Sequence, residues 1–134
     1  MYKVLLVDDE YMVTEGLKRL IPFEKWDMQV VATANHADDA LDYVKENPVD
    51  VIISDVNMPD KTGLEMIKEM REILPDAYYI LLSGYQEFDY VKKAMNLSVV
   101  DYLVKPVDKV ELSHLLEKIA SQLQEKVEQS QTLS

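Results

Sequence analysis

Five short runs dominate this chain: Lys3 to Val7, Gln29 to Ala34, Val51 to Ser54, Tyr78 to Ser83 and Val100 to Val104. They are rich in β-branched residues, and several are apolar throughout rather than at every second position. A strand with one wet face alternates, so a continuously apolar strand is one covered on both faces, as in a parallel sheet flanked by helices. The segments between the runs carry apolar residues at intervals of three and four. Tyr11 to Ile21 has Met12, Val13, Gly16, Leu17, Leu20 and Ile21; Thr62 to Leu74 has Leu64, Ile67, Met70, Ile73 and Leu74. Asp38 to Asn47, Gln86 to Leu97 and Asp108 towards Val127 complete the set. Strand and helix therefore alternate five times, an α/β arrangement within the reach of one domain of 134 residues.

Punctuation supports these boundaries. Pro22, Pro48, Pro59, Pro75 and Pro106 all fall between elements, where the missing N–H and fixed φ are tolerated. Thr62 with Glu65, and Asp108 with Glu111, have the spacing of a helix cap and its reciprocal partner. The last helix keeps apolar residues at Leu112, Leu115, Leu116, Ile119, Leu123 and Val127, then passes into the polar stretch from Gln129 to Ser134. A fraying end and the start of a linker to a further domain both account for residues 124–134.

With 25 acidic and 14 basic side chains the formal charge is -11. Such a surface repels nucleic-acid phosphates and anionic lipid heads, so neither DNA nor a membrane is an expected partner of this chain. The absence of cysteine excludes a disulfide framework and a thiolate metal site. No apolar run approaches the roughly 18 residues of a membrane span. A cytoplasmic, soluble protein is expected.

In a parallel α/β sheet the ligand site lies beyond the carboxyl ends of the strands. The first run ends in Asp8, Asp9 and Glu10; the third ends in Asp55, followed by Val56, Asn57, Met58 and Pro59; the fourth ends in Ser83-Gly84 and the fifth in Lys105-Pro106. Carboxylates gathered about 5 Å apart repel by roughly 3 kcal/mol per pair at an effective dielectric near 20, so they call for a compensating cation. All the ligands offered are hard oxygens, which selects Mg2+ or Mn2+ over zinc. Phosphoryl transfer uses these parts: an oxygen nucleophile, a metal, and donors for the phosphoryl oxygens. Asp55 is the expected nucleophile. Asp9 and Asp55 would hold the metal by carboxylate, Asn57 by its backbone carbonyl and Asp8 through water, while Lys105 and the Ser83 hydroxyl contact the phosphoryl group.

The same residues, read as Leu6-Val7-Asp8-Asp9-Glu10, Ser54-Asp55-Val56-Asn57-Met58-Pro59, Gly63-Leu64-Glu65, Leu82-Ser83-Gly84 and Asp101-Tyr102-Leu103-Val104-Lys105-Pro106, make the chain resemble the CheY-like receiver domains of bacterial response regulators from Tyr2 to about Leu123. Gly84 to Tyr90 and the lead containing Trp26 resemble the YesN subgroup, whose receivers precede AraC-type DNA-binding domains. The resemblance implies a single doubly wound (βα)5 domain over residues 1–123, flavodoxin-like, with a five-stranded parallel sheet in the order 2-1-3-4-5. It further implies a sensor histidine kinase as phosphoryl donor and a domain that catalyses only its own phosphorylation and dephosphorylation. A Ser83 to Tyr102 switch acting on the face of helix four, strand five and helix five, and a cis Lys105-Pro106 bond, follow from it as well. Lys92, Lys93, Asp101 and Glu111 offer both charge signs on that face for a phosphorylation-dependent homodimer. Three positions depart from the family pattern. Ser98-Val99 stands where Gly is usual, His36-Ala37 where Asn-Gly is common, and Lys61, in place of an apolar residue, is expected to bring a second positive charge near the acceptor.

The leading expectation is the receiver part of a transcription regulator with an AraC-type helix-turn-helix effector. A stand-alone receiver, or a phosphate sink acting through protein contacts, is the alternative. A haloacid-dehalogenase-like phosphatase is remote, because its motif needs an acid where Asn57 stands. A flavin module would need a Gly-rich phosphate loop after the first strand, where acids stand instead.

Overall fold

A strand with a core on each side must place successive side chains into opposite layers, and β1, β3 and β4 do so. The computed structural model describes residues 1–84 and 100–133. Its elements are β1 (Tyr2–Val7), α1 (Tyr11–Leu20), a 3₁₀ turn (Phe23–Trp26), β2 (Met28–Ala34), α2 (Ala37–Glu46), β3 (Val51–Asp55), α3 (Gly63–Ile73), β4 (Tyr78–Ser83), β5 (Val100–Val104) and a C-terminal helix (Lys109–Leu133). The five strands are all parallel in the order β2-β1-β3-β4-β5, the order that the resemblance implied. The expected fourth helix, 86–97, lies outside the described residues, together with the Ser98-Val99 departure, Lys92 and Lys93, and most of the Gly84 to Tyr90 stretch.

Along the three central strands the layers separate cleanly. Leu5, Val7, Ile52, Tyr79 and Leu81 point into one core with Ala40, Leu41 and Val44 of α2 and Leu64, Ile67 and Met70 of α3. Val4, Leu6, Val51, Ile53, Ile80 and Leu82 point into the other with Leu17 of α1 and Leu112, Leu116, Ile119 and Leu123 of the C-terminal helix. This two-sided burial is why the runs read as continuously apolar.

Helix starts follow the expected chemistry. The Thr62 hydroxyl accepts from the Glu65 N–H, and Asp108 Oδ1 accepts from the N–H groups of Val110 and Glu111. His36 precedes α2 in an extended conformation, with Asp38 and Asp39 in the first turn, where the helix dipole favours acids. The C-terminal helix runs to Leu133, further than the expected limit near Val127. Leu123 is buried in the core, and Lys126 places its ammonium 5.1 Å from the centre of the Tyr78 ring.

The periodicity did not announce the 3₁₀ turn. It is closed by Asp27 in the left-handed region (φ 57°), whose carbonyl accepts from the Tyr2 N–H. Trp26 therefore sits where β1 and β2 begin, at the sheet edge opposite the strand ends that carry the acids.

Candidate functional site

Register alone brings the predicted residues to one rim. Val7 pairs with Ser54, so Asp8 and Asp55, the next residue on each strand, emerge at one level on neighbouring strands. Asp55 pairs with Leu82, and Ser83 pairs with Val104, which brings Ser83 and Lys105 to the same edge from β4 and β5. Backbone bonds extend the sheet past the strand ends: Asp8 N–H donates to the Ala34 carbonyl, Val56 N–H to Leu82 and Lys105 N–H to Ser83.

Asp8, Asp9 and Asp55 each bring a carboxylate oxygen to within 4.8 Å of the others. Asp8 and Asp55 are buried, while Asp9 is exposed. One oxygen of each buried acid is tied locally: Asp8 Oδ1 accepts from the Glu10 N–H at 2.9 Å, and Asp55 Oδ1 from the Asn57 N–H at 3.2 Å. The other oxygens face Lys105, whose Nζ lies 3.1 Å from Asp55 Oδ2 and 3.5 Å from Asp8 Oδ2. Asp8 Oδ2 is buried and accepts no hydrogen bond.

Titration reflects this crowding. Burial, helped by the charges of Asp55 and Asp9, pushes the Asp8 carboxyl up from the ordinary 3.8 to about 6, against the Glu10 N–H and Lys105, which pull it down. Burial alone would lower the Lys105 ammonium, but the neighbouring carboxylates of Asp55, the stronger partner, and Asp8 outweigh it and hold it above its ordinary value. Among the described residues one cation faces three acids, which leaves the rim negative, and Asp8 Oδ2 meets the Lys105 ammonium only as an ion pair at 3.5 Å, without a hydrogen bond. That donor set, all hard oxygen, fits a small divalent cation.

The loop after Asp55 depends on Gly63, which the sequence shows only as part of the stretch Gly63-Leu64-Glu65. A Cβ on Gly63 would lie 2.2 Å from the Asp55 carbonyl oxygen, and the Gly63 N–H donates to the Val56 carbonyl. The readable signal was a poor helix former at the first position of α3. Ser83 is buried, and Tyr102 is half-buried against the core shared with α2 and α3. The Lys105-Pro106 bond is cis. Lys61, expected to bring a second positive charge near Asp55, forms ion pairs with Asp38 and Glu69, because the loop turns its ammonium towards α2 and α3.

The family model for the response regulator receiver domain matches residues 4–117. The chain belongs to that family. This receiver domain is similar to an uncharacterized response regulatory protein of Staphylococcus epidermidis, 35% identical over 126 residues that cover 94% of the chain and 49% of the relative. It is also 35% identical over 123 residues to the transcriptional regulatory protein YesN of Bacillus subtilis, covering 92% of the chain and 33% of the relative. Among solved structures, the REC domain of AraT, a response regulator from Geobacillus stearothermophilus, superposes with a TM-score of 0.87 at 38% identity, covering 93% of this chain and 97% of that one. The receiver domain thus spans about half, or less, of the curated relatives it matches. Among the described residues no helix is long and apolar enough to cross a membrane.

Proposed function

We propose that this receiver domain takes a phosphoryl group from a phosphohistidine on a sensor histidine kinase onto Asp55, and that it catalyses only its own phosphorylation and dephosphorylation. The observation that carries the reading is Lys105 Nζ held between Asp55 Oδ2 and Asp8 Oδ2, at a rim where three acids meet. A carboxylate oxygen of Asp55 forms the new bond to phosphorus as the bond to the histidine nitrogen breaks, and the imidazole leaves with the kinase. Lys105 lowers the charge of the attacking carboxylate beforehand and contacts a phosphoryl oxygen afterwards, the electrostatic work such transfers need. Mg2+ or Mn2+ would be held by the carboxylates of Asp9 and Asp55, the Asn57 backbone carbonyl and, through water, Asp8, and supplies neutralisation of the charge on the transferring group.

The Ser83 hydroxyl then contacts the phosphoryl group and the Tyr102 ring turns further inward, which alters the face expected from the fourth helix together with β5 and the C-terminal helix. In the full-length protein the output is an AraC-type helix-turn-helix domain, a reading supported by the likeness to YesN and by the larger size of the relatives. The receiver itself, at -11, makes no contact with DNA and works in the cytoplasm as residues 1–123, with 124–134 leading on towards the effector. Pairing of two phosphorylated copies would use both charge signs, Lys92 and Lys93 against Asp101 and Glu111; sedimentation that is unchanged by beryllofluoride would count against it.

The decisive experiment is intact mass after incubation with Mg2+ and acetyl phosphate. The wild type is expected to gain one acid-labile phosphoryl group and Asp55→Asn none. Equal labelling of both proteins would move the acceptor elsewhere.

A further inference from the structure

The loop between β3 and α3 carries Asn57. Val56 and Met58, on either side of the exposed Asn57, are buried in the core shared with α2 and α3 and hold the first part of the loop by packing. Lys61 N–H donates to the Pro59 carbonyl at 2.8 Å across Asp60, which has a φ of 69°, and Gly63 N–H donates to the Val56 carbonyl at 2.9 Å. These bonds shape the loop and join its start to the first residue of α3. Lys61 supplies a further tie. Its side chain is only 26% exposed, and its ammonium reaches Asp38, in the first turn of α2, at 3.2 Å and Glu69 on α3.

We infer that Lys61 is a positioning residue, an electrostatic latch that holds the loop after Asp55 against α2 and α3 and so fixes where Asn57 presents its carbonyl to a divalent cation. The proposal rests on the reading of that carbonyl as a ligand. An apolar residue at this position would anchor the loop by packing, which salt does not weaken. A lysine shared between two exposed carboxylates anchors it by charge, which salt does weaken: charges are largely screened beyond about 10 Å at 0.1 M ionic strength and beyond about 3 Å at 1 M. Lys61 thus makes the order of the acceptor loop sensitive to ionic strength. Two exposed pairs meeting on one partly buried cation are worth roughly a two- to fivefold change in an equilibrium.

The test uses amide hydrogen exchange of the segment 56–63 in Mg2+-free protein at low salt, followed by calorimetric Mg2+ titration. In Lys61→Ala the segment should exchange about two- to fivefold faster than in wild type, and Mg2+ affinity should fall by a similar factor. Lys61→Arg should restore both, the double variant Asp38→Asn with Glu69→Gln should reproduce the loss with Lys61 in place, and about 1 M KCl should erase the differences. Unchanged exchange in Lys61→Ala overturns the latch, as does wild-type exchange in the Asp38 and Glu69 double variant. Faster exchange with unchanged Mg2+ affinity overturns the link to Asn57. The exchange readout involves no phosphoryl group, so it judges the latch even if Asp55→Asn shows that the acceptor lies elsewhere.

Discussion

Replacing Asp8 by Asn should make the metal-free protein more stable at neutral pH, although it removes an acid that the proposed chemistry uses. In the folded domain the carboxyl titrates near 6, whereas the ordinary value is 3.8. Between those values the folded state holds more protons than the unfolded chain, so stability is lost as pH rises through the window and the full penalty is present above it. About two pH units at ~1.36 kcal/mol each give a penalty of about 3 kcal/mol at pH 7.5, shrinking to about 0.5 kcal/mol at pH 4. Asn keeps an acceptor for the Glu10 N–H but loses the attraction to Lys105, so the net gain at pH 7.5 should be about 2 kcal/mol, or roughly 6 to 10 °C in Tm for a domain of this size. Thermal melts monitored by circular dichroism in EDTA, at pH 4, 5.5 and 7.5, measure it. A melting point that is unchanged or lower at pH 7.5, or a gain of the same size at pH 4, would refute the account of Asp8 as a buried charge without sufficient compensation.

Lys105→Ala removes the one cation ion-paired to Asp8 and Asp55 among the described residues, so the metal-free domain should lose about 1 to 2 kcal/mol at pH 7.5 by urea denaturation and less at pH 4. Gly63→Ala forces a methyl against the Asp55 carbonyl; the backbone must shift, costing about 2 to 3 kcal/mol in a urea melt and slowing acetyl phosphate labelling. Asp9→Ala should weaken Mg2+ binding in calorimetry while leaving the metal-free melting point nearly unchanged, because Asp9 is exposed. Trp26 fluorescence is a poor reporter for that titration, since the indole stands at the opposite end of strands about 20 Å long. Tyr79→Phe should cost about 1 kcal/mol through loss of the bond from its hydroxyl to the Leu74 carbonyl, and should remove the phenol that burial pushes up to about 12 from an ultraviolet pH titration.

What the chain's own order of residues determined is the alternation of strands and helices and the identity of the groups at the strand ends. Both are local properties: apolar runs of four to six residues, helical spacing between them, prolines at the joints, Asp8, Asp55 and Lys105 one step beyond their runs and Ser83 at the end of its own. In a parallel sheet all strands end on the same side, so listing those residues was enough to name a site. Tertiary structure alone decided what each group touches. The orphaned oxygen of Asp8, the choice of Lys105 as bridge and the raised Asp8 carboxyl depend on burial and on distances of about 3 Å, which spacing along a chain does not encode. The same holds for Lys61 and Gly63. Lys61 is a basic residue in any sequence reading, and only the direction in which the loop turns sends its charge to Asp38 and Glu69. Gly63 is small in any reading, and only the approach of the Asp55 carbonyl makes smallness a requirement.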